Sequence, residues 1–145
     1  MRDLPRQLSR DELAGLFEGR TRFVERLALV EDPLDHAREF AATLSDEEKK
    51  EVLDAHPAIG AKATSERSRR EQGTDDDPTV LAELAGLNAE YERRFGFRFV
   101  VFVNGRPRRE IVPVLRERMQ RSREEELQTA VDELVQIAIN RWRTS

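Results

Sequence analysis

One of the chain's two histidines, His56, stands directly before a proline in the stretch DAHPAIGAKATSERSRREQG, residues 54–73. Imidazole is the side chain whose ordinary pKa allows proton exchange near neutral pH. Proline at 57 pushes residue 56 away from helical dihedrals, so a helix arriving there stops and the ring sits on a stiff corner. Downstream, Ser68, Glu71 and Gln72 are spaced i, i+3 and i+4 and would project from one side of a helix. A hydroxyl, a carboxylate and an amide converging in this way suit a small, polar, hydrogen-bond-rich molecule. Glu71 near His56 would set its tautomer or raise its basicity. The same residues also fit an ordinary helix end followed by a solvent-facing polar helix. Spacing alone leaves both readings open.

Other residues with chemical potential have plainer explanations. His36, in LDHAREF, reads as a surface or core-edge histidine. Asp75, Asp76 and Asp77 are adjacent carboxylates without the alternating spacing of a calcium loop, and read as a loop ending in a helix cap. Arg106, Arg108 and Arg109 read as a solvated patch, and Tyr91, Met119 and Trp142 as core or interface residues. The chain has no cysteine, which excludes disulfides, thiolate nucleophiles and thiolate metal sites. No metal site is expected.

Helices must position these groups. Ser9 with Glu12, Ser45 with Glu48 and Ser122 with Glu125 have the spacing of capping boxes. Thr21 is a further N-cap, and Asp32-Pro33 and Asp77-Pro78 each read as an N-cap followed by a first helical residue. Gly19 and Gly96 close two helices, and the helix opened by Ser45 should stop at His56. Ser65 would cap a short helix ending at Gly73. Leu81, Leu84, Leu87 and Tyr91 recur at helical period, as do Leu127, Val131, Leu134 and Ile137 near the carboxy end. REIVPVLRERM is a further helix, with Pro113 near its start and a possible kink. FRFVVFV, before an Asn104-Gly105 turn, is the one strand-like run, with no second strand to pair with it. It is expected to be extended buried chain or the start of a helix. The fold expected is all-α, one domain over residues 1–145, of roughly seven or eight helices with one short extended segment.

At 145 residues the chain is long enough to bury one sizeable core. Its formal charge of −4 and its short, acid-interrupted basic runs argue against nucleic-acid binding. No apolar run approaches the ~20 residues needed to span a bilayer. The amino terminus lacks the apolar core of a signal peptide, so a cytoplasmic protein without membrane association is expected.

HPAIG, SRREQ, LNAEYERRFGFRFVVFVNGR, LRERM and EEELQTAVDELVQIAINRW occur in that order. In this order the segments resemble the 2-oxo-4-hydroxy-4-carboxy-5-ureidoimidazoline (OHCU) decarboxylase family over essentially the whole chain. The resemblance implies an all-helical homodimeric enzyme, without a cofactor, that converts OHCU to (S)-allantoin and carbon dioxide in urate breakdown. It carries the family's catalytic histidine onto His56 and its catalytic glutamate onto Glu71. It carries the substrate-binding positions onto Pro57, Ser68, Gln72 and the backbone of Phe99, Val100, Val101, Phe102 and Val103. The chain departs from many members at Ala58, where they have aspartate, and its interval from His56 to Ser68 is shorter than in some relatives. Both departures bear on loop geometry and affinity more than on reaction class. The alternative is a helical homologue that has lost turnover and binds a purine catabolite or a protein.

Overall fold

Three N-caps that could be read from serine–glutamate spacing close as true capping boxes. In each, the serine hydroxyl accepts from the backbone N–H of the glutamate, whose carboxylate accepts from the serine N–H: Ser9 with Glu12, Ser45 with Glu48, and Ser122 with Glu125. The computed structural model describes residues 3–58 and 77–144. Among the described residues there are seven helices and no strand: α1 (Arg10–Phe17), α2 (Arg22–Leu27), α3 (Pro33–Ala42), α4 (Asp46–Asp54), α5 (Pro78–Phe95), α6 (Arg108–Arg118) and α7 (Arg123–Thr144). The all-α expectation holds. The short helix expected from Ser65 to Gly73 lies outside the described residues.

The helix ends refine the sequence reading. Thr21 caps α2 by accepting from the Val24 N–H, and Asp77 caps α5 by accepting from the Thr79 N–H. Asp32 sits at the N-cap of α3 with φ of 50° and makes no side-chain cap bond, so Pro33 alone presets that start. Gly96 ends α5 in the left-handed region, as expected, with φ of 81°. At the end of α1 the left-handed residue is instead Glu18, with φ of 63°. Gly19 is favoured by tight space rather than by dihedral freedom. A Cβ there would lie 3.3 Å from the Ala55 Cβ, so the end of α1 and the end of α4 meet across a missing side chain. Pro113 falls inside α6, and its ring removes one helical N–H donor.

α7 is the central strut, packed against α1, α3 and α4, while α5 packs on α6. Leu127, Val131, Leu134 and Ile137, the expected apolar stripe of α7, are all buried. That stripe lies in the protein's own core. Trp142, at the end of the same helix, is half-buried and donates from its indole Nε1 to the Asp3 carbonyl at 2.8 Å. Phe17 and Phe23 meet edge to face at 5.2 Å, and Tyr91 gathers Phe95, Phe97 and Phe99 around its ring at 4.6, 5.9 and 5.2 Å. The run from Arg98 to Val103 is extended and forms no ladder. It ends in a turn at Asn104 and Gly105, with φ of 50° and 76°. Of the two expectations for this run, the extended one is correct.

Candidate active site

α4 ends at Asp54 with Ala55 as its C-cap, two residues before the stop expected at His56. The His56 N–H still donates to the Leu53 carbonyl at 3.1 Å, so the histidine occupies one last turn outside the helix. Pro57 follows and is half-buried. The guanidinium of Arg98 closes the corner from the other side. Its Nη1 donates to the His56 carbonyl at 2.7 Å and to the Asp54 carbonyl at 3.2 Å. The Arg98 N–H donates to Asp54 Oδ1 at 3.1 Å, and its Nε to Glu92 Oε1 at 3.1 Å. A helix C-terminus presents carbonyls without partners and a partial negative charge, so a cation is the natural clasp.

His56 as a residue is half-buried, yet its Nδ1 is sealed from solvent and has no hydrogen-bond partner among the described residues. Burial pushes its pKa down, and the Arg141 and Arg98 charges push it further, against an upward pull from Glu18. The result is about 4. At neutral pH the ring is therefore uncharged. Arg141 is itself buried in α7, where it donates from Nη1 to the Leu16 carbonyl at 2.9 Å and pairs through Nη2 with Glu18 at 3.1 Å. A buried polar atom without a partner is costly and uncommon. An uncharged imidazole carries one bare ring nitrogen able to accept a proton.

The extended run leaves His56's clasp at Arg98 and crosses the molecule. Arg118 holds it in the middle: its Nη1 donates to the Val100 carbonyl at 2.7 Å, and its guanidinium lies over the Phe99 ring at 4.5 Å. Arg118 Nε donates to Glu126 Oε1 at 2.8 Å, and the Tyr91 hydroxyl donates to the same oxygen at 2.6 Å. Arg121 reaches the other carboxylate oxygen at 3.3 Å. Burial first, and then the Glu126 carboxylate, raise the Tyr91 pKa well above that of a free phenol, so it stays a donor. At the far end Arg106 donates to the Phe102 and Val103 carbonyls at 2.7 and 2.9 Å. The carbonyls of Val100, Phe102 and Val103 are thus taken by arginines. The N–H groups of Phe99, Val100, Val101, Phe102 and Val103 find no backbone carbonyl among the described residues.

Of the residues expected at the site, His56, Pro57 and Phe99–Val103 are described. Glu71, Ser68 and Gln72 lie outside the described residues, as do Asp75 and Asp76. His36 is exposed and 3.7 Å from Glu39, in keeping with a surface histidine. Tyr91 and Met119 are core residues, as expected. No group of three or more potential metal ligands occurs among the described residues. Sequence reasoning missed Glu18, Arg98, Arg118, Glu126 and Arg141. The signal available for Arg118, Glu126 and Arg141 was a charge at a position where helical period demands an apolar residue. For Arg98 and Glu18 no local signal exists.

Fold and site together describe an all-helical domain with a neutral imidazole fixed at a helix end, beside an extended run in which the N–H groups of residues 99–103 find no backbone partner among the described residues. The OHCU decarboxylase family profile matches residues 3–143, and the chain belongs to that family. It is 30% identical to the mouse 2-oxo-4-hydroxy-4-carboxy-5-ureidoimidazoline decarboxylase, over 75% of this chain and 66% of that protein. It is 31% identical to the uric acid degradation bifunctional protein PucL of Bacillus subtilis, over 88% of this chain but 28% of that protein. A related bifunctional protein of Bacillus sp. strain TB-90 is 30% identical, and the chain covers 22% of its length. The chain therefore spans less than a third of these bifunctional relatives. A crystal structure of OHCU decarboxylase in the presence of (S)-allantoin superposes with a TM-score of 0.74 at 26% identity, covering 90% of this chain and 94% of that one.

Proposed function

We propose that this chain is a carboxy-lyase that converts OHCU to (S)-allantoin and carbon dioxide in urate degradation. The observation that carries the reading is the His56 ring, neutral at physiological pH, with a buried Nδ1 that lacks a partner. Family membership over residues 3–143 supplies the substrate. In OHCU the departing carboxylate sits on a ring carbon next to a C=N bond. Its electron pair forms a new ring C=C bond as the C=N electrons move onto nitrogen, which takes a proton. The hydroxyl on the same carbon then loses its proton to become a carbonyl, while the neighbouring carbon gains one. That last proton, delivered to one face, fixes the (S) product. The substrate is its own electron sink, and no cofactor is proposed.

In this reading the neutral His56 takes the hydroxyl proton. The imidazolium so formed is disfavoured by Arg141 and Arg98 and gives its proton up readily. Glu71 is the partner carboxylate, either orienting His56 or accepting a substrate N–H. Ser68, Gln72 and Pro57 position the ureido and ring amide groups. The N–H groups of Phe99, Val100, Val101, Phe102 and Val103, without a backbone partner among the described residues, suit the substrate's carbonyl oxygens. We extend the same reading to a homodimer, tested by light scattering, and to a cytoplasmic location, tested by cell fractionation. Among the described residues no helix is long and apolar enough to cross a membrane.

The test generates OHCU from urate with urate oxidase and the hydrolase that follows it, and reads circular dichroism for (S)-allantoin. A fast, single-handed signal is expected. The His56→Ala protein should lose at least about a hundredfold in rate, the low end for loss of acid–base catalysis. A racemic trace at the background rate from folded wild-type protein would overturn the reading in favour of a binding module.

A further inference from the structure

We propose that Arg98 is a positioning residue for His56: it fixes the imidazole-bearing corner to the extended run, so that proton acceptor and binding backbone move as one body. This inference rests on His56 being the proton-transfer group. Arg98 reaches both parts directly. Its side chain donates to the His56 and Asp54 carbonyls at 2.7 and 3.2 Å, while its own backbone N–H donates to Asp54 Oδ1 at 3.1 Å. The next residue of the run, Phe99, is locked under the Arg118 guanidinium. One residue thus ties the end of α4 to the first unpaired N–H of the run, with no intervening side chain.

Glu92 completes the device. Its carboxylate accepts from Arg98 Nε at 3.1 Å and comes from the last turn of α5, one turn before the helix stops at Gly96. Three chain segments (the end of α4, the end of α5 and the start of the run) therefore converge on one planar guanidinium. Its donors are fixed in a fork, which lysine cannot copy with a single ammonium. Helix ends fray readily, and an acceptor displaced by about 1 Å costs on the order of a hundredfold in rate. Charged groups facing the His56 ring are Arg141 and Glu18 from the α7–α1 side and Arg98 from the run; Asp54 and Glu92 partner Arg98.

The experiment compares wild type, Arg98→Lys, Arg98→Met and Glu92→Gln by steady-state kinetics on OHCU, and by NMR titration of the two histidine rings. Arg98→Lys keeps the charge and loses the fork. Its kcat should fall about tenfold with KM within about twofold, while the His56 midpoint stays near that of wild type. Arg98→Met should lose at least as much kcat and move the His56 midpoint upward, with the exposed His36 unmoved as internal reference. Glu92→Gln, at a partly exposed position, keeps a folded protein in the series should Arg98→Met not fold, and should lose about threefold in kcat. Wild-type kcat in both Arg98→Lys and Glu92→Gln would overturn the proposal, as would a fall confined to KM. If wild type itself fails to turn over OHCU, the functional reading falls. The positioning role then stands or falls on whether Arg98→Lys broadens or shifts the His56 ring signals relative to His36.

Discussion

Among the described residues two polar clusters lie inside this protein, and they treat burial in opposite ways. Around Glu126, the carboxylate takes hydrogen bonds from Tyr91, Arg118 and Arg121, and a single guanidinium nitrogen, Arg118 Nη2, is left over. Around His56 the charges are matched among themselves, Arg141 with Glu18 and Arg98 with Glu92, while the titratable ring in their midst goes without. A carboxylate between cations stabilises one conformation, here the one in which Arg118 holds the Val100 carbonyl. A neutral ring held beside cations is kept in the state from which it can accept a proton, at a cost in stability. The contrast separates polar burial that is closed on itself from polar burial that leaves a ring available for the proposed reaction.

Changes in the first cluster should unfold the protein, and changes in the second should spare it. Glu126→Gln strands two arginines and should cost about 3–5 kcal/mol of unfolding free energy by urea titration. A loss below about 1 kcal/mol would erase the distinction between the clusters. At His56 the prediction is a pH dependence. Between pH 6.5 and about 4 the unfolded chain binds a proton at position 56 that the folded chain refuses. Stability therefore falls as pH falls through that window, by about 3 kcal/mol in full. His56→Ala should remove that slope, so that at pH 4 it is more stable relative to wild type than at pH 7. Equal differences at the two pH values would show that the ring is not held neutral. Tyr91→Phe removes one hydrogen bond to a buried carboxylate and should cost about 2 kcal/mol, leaving kcat within about twofold. Smallest, and outside both clusters, Ser45→Ala opens the capping box of α4 for about 1 kcal/mol. Its thermal midpoint should drop while the His56 titration stays in place.

Local rules reached much of the scaffold from the sequence. The serine–glutamate boxes, the Asp-Pro starts, Gly96 and the solitary extended run depend on residues within a few positions of one another, and all stand where spacing put them. The His56 corner was legible for the same reason, since proline acts on its immediate neighbour. Its electrostatics were not. The partner charges arrive from Glu18, Arg98 and Arg141, brought together by packing rather than by spacing. Gly19 shows the limit well: its place at the end of α1 was legible, but the crowding a side chain there would meet, with its Cβ 3.3 Å from that of Ala55, exists only in three dimensions. Arg118 and Glu126 stand out only as charges on an apolar helix face, and their reason appears when Tyr91, 35 positions before Glu126, turns its hydroxyl to that carboxylate.

The indole of Trp142 donating to the Asp3 carbonyl joins residues 139 positions apart. A polypeptide whose described ends touch forms a nearly closed ring, with entrance and exit at one point on its surface. Such a unit can be spliced into a longer chain with both junctions side by side and no rearrangement within. In the two bifunctional relatives of Bacillus the matching stretch makes up less than a third of the length.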